Sequence, residues 1–236
     1  MNGHPPLRVE RSTQTLRERT LETLRGAIIS QRFKPGDRLI ERDLCDQLAV
    51  SRTVVREVLR HLEAEGIVEN LPNRGPAVAS PTLDEVRQIY ELRGQLEGLA
   101  ARGCAEAGSP EAVARLEDAL RAIRAGYAAN SSPAVLEATT QFYRALFEGA
   151  GRGIAWTIVS SLHARINYLR AITTATPGRH RDGPKQMKAI VDAVRKGDGA
   201  AAEAACRTHI GRAYDLAVAA LLALDDPAGA ADQAVA

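Results

Sequence analysis

Residues 48–68 read Leu48-Ala49-Val50-Ser51-Arg52-Thr53-Val54-Val55-Arg56-Glu57-Val58-Leu59-Arg60-His61-Leu62-Glu63-Ala64-Glu65-Gly66-Ile67-Val68, and this stretch decides the fold. Val54, Val55, Val58, Leu59 and Leu62 recur at i, i+1, i+4, i+5 and i+8, the spacing of one apolar stripe on a helix that packs inward. The Ser51 hydroxyl is placed to cap that helix, and Gly66 to stop it after Glu65. Arg52, Thr53, Arg56 and Arg60 fall on the other side, within about one third of the circumference at about 100° per residue, with no acid among them. Such a face fits the major groove of DNA, where arginine can grip guanine O6 and N7 and threonine can touch a thymine methyl or a phosphate. A solvated basic face has the same periodicity, so spacing alone leaves both readings open.

Outward from this helix the punctuation is clear. Leu16 to Gln31 reads as a helix with Leu21, Leu24 and Ile28 on one face, ended by Phe33-Lys34-Pro35-Gly36-Asp37, and Glu41 to Leu48 reads as a second. Ile67-Val68-Glu69 and Ala77-Val78-Ala79 flank the turn formers Leu71 to Pro76, which predicts one small hairpin. Ser80-Pro81-Thr82 interrupts the chain, and Thr82 starts a long helix, Leu83 to about Glu106, through a Thr82-x-x-Glu85 capping box. Further helices start at Ser109-Pro110, Ser132-Pro133 and near Gly151, with breaks at Thr176-Pro177-Gly178 and Gly197-Asp198-Gly199. The expected architecture is mainly α: a winged helix-turn-helix with its β-hairpin over 15–80 and an all-helical bundle of about six helices over 81–224. A flexible N-terminus over 1–14 and a flexible tail over 225–236 complete it.

The totals bound the function class. In 236 residues, 31 basic side chains face 29 acidic ones, so no whole-molecule field draws the chain to nucleic acid or membrane and a DNA surface must come from local placement. Cys45, Cys104 and Cys206 are far apart, without CxxC or Cys/His spacing, as in reduced cytosolic proteins. Met1 to Glu10 lacks a signal-peptide core, and no run approaches about eighteen apolar residues. A cytoplasmic protein with no membrane partner is expected.

Glu41-Arg42-Asp43-Leu44, then Leu48 through Leu59, then His61 through Val68 and the Asn73-Arg74-Gly75 wing, strongly resemble the GntR family of bacterial transcription regulators. The resemblance implies a homodimer on operator DNA. It places Arg42, Ser51, Arg52, Thr53, Val54 and Arg56 at DNA-contacting positions and Arg74-Gly75 at a wing tip that enters the minor groove. Val54 cannot donate a hydrogen bond, so an apolar contact or a core role is left to it. Arg60 joins the set from the basic face, near the end where a phosphate is the expected partner. Ala49 stands where the family's turn usually has glycine; in a left-handed conformation it costs on the order of 1 kcal/mol.

Glu91 through Arg102 resembles the opening helix of the helical ligand-sensing FCD domain of the FadR-like branch, and about six helices match its shorter VanR-like subgroup. That resemblance implies an effector pocket, often built around a metal on an Asp-x-x-x-His pair and two later histidines. Here Thr139 replaces the acid, Tyr143 the first histidine and Met187 the next, and only His209 remains. A hydroxyl, a phenol, a thioether and one imidazole are poor ligands for a divalent ion, so no metal and no cofactor is expected. Arg93, Thr139, Tyr143, Met187 and His209 are instead candidates to bind a small organic effector, with Arg93 suited to a carboxylate. Each has a plainer reading: a helical histidine is more often structural, and Arg93 has Glu97 one turn away. Trp156 and His163, at i and i+7, are expected on one helix, with core packing for Trp156.

These readings converge on a ligand-responsive regulator on an inverted repeat, a repressor by family precedent. Two alternatives stand beside it. The helical domain is purely structural, or it is an enzyme, although no nucleophile elbow, phosphate loop, HExxH or clustered acid pair is present.

Overall fold

The first helix begins where Thr15 and Glu18 close a reciprocal capping box that the sequence reading passed over. In this computed structural model, which describes residues 14–174 and 176–225, α1 (Leu16–Ile29), α2 (Glu41–Leu48) and α3 (Arg52–Ala64) precede β1 (Val68–Leu71) and β2 (Gly75–Val78). The expected flexible ends, 1–14 and 225–236, lie outside the described residues except for Gln14 and Asp225. Leu21, Leu24 and Ile28 of α1 bury against Val55, Val58, Leu59 and Leu62 of α3. Each such side chain contributes about 1.5–3 kcal/mol relative to exposure, enough to fix α3 with its arginine face outward.

Ala49 ends α2 at φ 53° and ψ 44°, the left-handed conformation that a Cβ disfavours. Ala49→Gly is therefore expected to stabilise the fold by about 1 kcal/mol, raising Tm by roughly 2–4 °C. A calorimetric scan with no rise would show that the turn carries no strain.

The hairpin pairs Val68 with Val78 and Leu71 with Gly75, so its ends differ from the expected Ile67–Glu69 and Ala77–Ala79 by one or two residues. The loop is only Pro72-Asn73-Arg74, with Asn73 at φ 61° and Gly75 at φ 77°, so pairing extends further toward the tip than the turn formers suggested. Residues 36–39 run along β2, unforeseen: Leu39 N–H donates to Pro76 O at 2.8 Å and Val78 N–H to Asp37 O at 2.9 Å.

Beyond Ser80 the chain forms α4 (Leu83–Ala107), α5 (Pro110–Ala128), α6 (Ser132–Gly149), α7 (Gly153–Ser161), α8 (His163–Thr174), α9 (Arg179–Arg195) and α10 (Gly199–Asp225). That makes seven helices among the described residues where about six were expected, because the run after Gly153 breaks at Leu162. Thr157 Oγ1 donates to Gly153 O at 3.1 Å and Ser161 Oγ to Ile158 O at 2.7 Å, competing for backbone carbonyls. Leu162 N–H then closes a tight turn onto Val159 O at 3.1 Å. The ground for the six-helix VanR-like subgroup is thereby removed. Trp156 and His163, expected on one helix, sit on α7 and α8: Trp156 stacks on Phe147 with ring centroids 5.5 Å apart, and His163 Nε2 lies 2.8 Å from Asn167 Nδ2.

α10 packs along α4 and α9, and α5 along α6 and α9, around a core that includes Phe142, Leu146, Phe147 and Ile190. Among the described residues no helix is long and apolar enough to cross a membrane.

Candidate functional site

The first site is the outer face of α3. Ser51 Oγ accepts the Val54 N–H at 3.4 Å and caps the helix, while Arg52, Thr53, Arg56 and Arg60 are all exposed. Val54 is half-buried and packs against the core, so its contact is apolar. Glu63 lies at the C-terminal end of the basic face, and the fold brings a second acid from α2: Arg56 Nε donates to both carboxylate oxygens of Glu41, at 2.9 Å each. This holds the Arg56 guanidinium in place and leaves its Nη groups outside that contact. Arg42 is exposed and its Nε meets Asp43 at 3.3 Å. Arg52, Arg60 and the Arg74 side chain form no hydrogen bond or ion pair among the described residues, and Arg74 and Gly75 stand at the hairpin tip.

The second site lies inside the helical bundle. Arg93 of α4, Thr139 and Tyr143 of α6, Met187 of α9 and His209 of α10 line one partly enclosed cavity of about 30 Å³. The same wall holds Arg170 and Thr173 of α8 and Arg179 of α9, which the sequence reading missed. Arg170 had a visible signal, since it shares with Ile166, Leu169 and Thr173 the i, i+3, i+4, i+7 register of a core face. Arg179 had none.

Arg93 is 2% exposed and its Nε donates to Glu97, itself 0% exposed, at 2.8 Å, so the pairing with Glu97 is present at the cavity wall. The Arg93 Nη1 group and the Tyr90 and Tyr143 hydroxyls are buried with no hydrogen-bond partner. The Tyr143 ring faces two guanidiniums, with Arg170 Cζ 4.9 Å and Arg93 Cζ 5.8 Å from its centroid. Thr139 donates its hydroxyl back to Val135 O at 2.7 Å, which leaves only its lone pairs for a ligand. His209 Nδ1 sits 3.0 Å from Gln186 Oε1, and Arg179 Nη1 reaches the same oxygen at 3.2 Å. Burial first, then Arg179, Arg93 and Arg170, pushes the His209 imidazole well below its ordinary range, so it is neutral at pH 7.

These residues do not fit the divalent metal that such bundles often hold. One neutral imidazole, a thioether, a phenol and a hydroxyl committed to its own backbone make a weak donor set. Three guanidiniums in the same wall also repel a cation. A larger open groove of about 720 Å³ between α5 and α6 is a poorer candidate, because Arg115 and Arg144 on its walls both pair with Glu148.

α8 joins the two sites. Arg170 and Thr173 line the cavity, while Arg165, Tyr168 and Leu169 line a cleft against Gly66, Ile67, Val68 and Glu69 at the end of α3 and the start of β1. Gly66 has φ +72°, which disfavours a Cβ, and a Cβ there would displace the Arg165 guanidinium from its present position.

Comparison with known proteins divides the chain the same way. Residues 16–78 match the bacterial regulatory proteins of the gntR family, and residues 88–212 match the FCD domain. The chain is 30% identical over 202 residues to an uncharacterized HTH-type transcriptional regulator in an unstable DNA locus of Streptomyces ambofaciens, spanning 81% of this chain and 80% of that protein. Over 220 residues it is 29% identical to the galactonate operon transcriptional repressor of Escherichia coli K12, spanning 82% and 93%. A crystal structure from Rhodococcus sp. RHA1, described as a GntR transcriptional regulator, superposes with a TM-score of 0.74 at 27% identity, covering 86% of this chain and 97% of that one.

Proposed function

Since this chain belongs to the GntR family of bacterial transcription regulators and carries an FCD domain, we propose that its α3 face reads an inverted-repeat operator while the bundle cavity senses a small organic effector. The family is one of DNA-binding regulators, not enzymes. Residues 15–80 hold the DNA and 81–224 the effector, in a cytoplasmic homodimer that represses until the effector weakens its grip.

The observation that carries this reading is α8, a single helix that lines the cavity with Arg170 and sets Arg165 on Gly66, just past the recognition helix. A ligand that shifts α8 acts on both sites, and linkage makes the coupling reciprocal. The alternative of a purely structural bundle is disfavoured by Arg93 Nη1 and the Tyr143 hydroxyl, because buried polar groups in a core that only supports structure find partners. Dimerisation is supported by recognition logic, since one helix reads few base pairs and two-fold symmetry doubles them. It is supported also by Ile154 and Ile158, one turn apart on α7 and 83% and 46% exposed in the single chain.

The test uses full-length protein and an operator selected from random duplexes, titrated with a metabolite panel. Tyr143→Phe, His209→Ala and Arg165→Ala should each leave effector-free operator affinity nearly intact. Each should also weaken effector-driven release by about ten-fold, equal to about 1.4 kcal/mol of coupling. Parent-like release from all three variants would place sensing elsewhere. Light scattering that shows a monomer binding one half-site with full affinity would remove the dimer.

A further inference from the structure

The cavity holds more positive charge than its walls neutralise. Arg93, Arg170 and Arg179 are 2%, 8% and 8% exposed, and the only buried carboxylate among the described residues, Glu97, is taken by Arg93. Arg170 Nη1 finds only the Asn167 side-chain oxygen, at 3.2 Å, and Arg179 Nη1 only that of Gln186, also at 3.2 Å; neither forms an ion pair among the described residues. His209 adds no negative charge, and the Arg93 Nη1 and Tyr143 donors beside it lack partners. Burial first, then Arg93, lowers the Arg170 pKa to about 10, which leaves it charged at pH 7. Three guanidiniums against one carboxylate leave a surplus of two positive charges in a desolvated space. Burying charge without a counter-ion costs several kcal/mol, a cost that a counter-ion from solution would offset.

We propose that this cavity is a metal-free site for a compact dianion, in which Arg170 and Arg179, with Arg93, do the charge work of a metal ion and the effector brings two negative charges. This rests on the reading of the cavity as the effector site. The chemistry fits a small dicarboxylate or a phosphate, since a guanidinium presents paired donors to either and the unpartnered phenol adds a second kind of donor. At about 30 Å³ the partly enclosed cavity holds little more than water, so a dianion enters by parting the walls. One of those walls is α8, and its displacement is the signal passed to Gly66.

The experiment measures thermal shift and titration calorimetry on the full chain at constant ionic strength, with malonate, inorganic phosphate, acetate and glycerol as probes, each with and without EDTA. Malonate or phosphate should raise Tm saturably, acetate and glycerol should not, and EDTA should change nothing; the tighter of the two dianions assigns the class. Arg170→Met should cut dianion affinity at least ten-fold and, because it removes an unneutralised buried charge, raise the ligand-free Tm by about 2–4 °C. A merely structural arginine would lower it. Arg179→Gln supplies the second reading if Arg170→Met fails to fold. Acetate equal to malonate, abolition by EDTA, no shift with either dianion, or unchanged affinity in the arginine variants would overturn the proposal. A neutral metabolite that binds here and releases operator would overturn it while sparing the sensor reading. A dianion that binds at this cavity without affecting operator affinity would support the site and overturn the sensor reading.

Discussion

Glu97→Ala is expected to destabilise the helical bundle by about 3–5 kcal/mol, because it strands a buried guanidinium. Glu97 is fully buried and pairs at 2.8 Å with Arg93, which lines the cavity together with Arg170 and Arg179, so its loss leaves all three arginines without a buried carboxylate among the described residues. The cost lies in the uncompensated charge rather than in the worth of the pair. An Arg93→Met, Glu97→Leu double variant, which removes both charges and keeps most of the volume, should therefore stay within about 1.5 kcal/mol of the parent. Urea unfolding at unchanged slope measures both. A Glu97→Ala midpoint indistinguishable from the parent would mean that water reaches Arg93 and that the cavity is wetter than its burial indicates. Added malonate or phosphate should recover part of the loss, since either supplies the charge that Glu97 provided.

What the sequence made legible follows from which features are local. The α2–α3 turn, the Ser51 cap and the arginine face depend on spacing within twenty residues, and the structure places them as read; Ala49 in the turn is left-handed. The break at Leu162 was invisible because it has neither glycine nor proline; two hydroxyls competing for carbonyls in an apolar run leave no periodic mark. Residues 36–39 pair with β2 over too short a span to show alternation. In the cavity, Arg93, Thr139, Tyr143, Met187 and His209 were reached through the family pattern, and they do line one space. Arg179 was missed because burial of a charge is a tertiary fact, and Arg170 was missed despite its core-face register because arginine in a helix is by default a surface residue. Glu41 beside Arg56 was missed for the same reason, since its partner lies on another helix.

Arg52→Ala is expected to cost about 1–3 kcal/mol at each half-site, and about 2–6 kcal/mol for a dimer on both, if Arg52 holds a guanine edge. Its guanidinium is exposed at the capped start of α3 and has no protein partner among the described residues, so nothing in the fold competes with a base for its donors. For the same reason the variant should unfold at the parent's midpoint, which separates lost recognition from lost structure. Arg56 differs: Glu41 holds its Nε, so on a bound duplex it would act already oriented but through a more neutralised group, and Arg56→Ala gives up the ion pair as well. Arg60 lies two turns beyond Arg52; if it meets a phosphate, Arg60→Ala should weaken all sequences alike and reduce the salt dependence by about one charge. Fluorescence anisotropy across a salt titration, on the selected operator and on scrambled duplex, tells these cases apart. Arg52→Ala must narrow the gap between the two duplexes at every salt concentration. If it shifts both equally, Arg52 touches backbone rather than bases, and reading of the operator passes to Thr53, Arg56 or the Arg74-Gly75 wing.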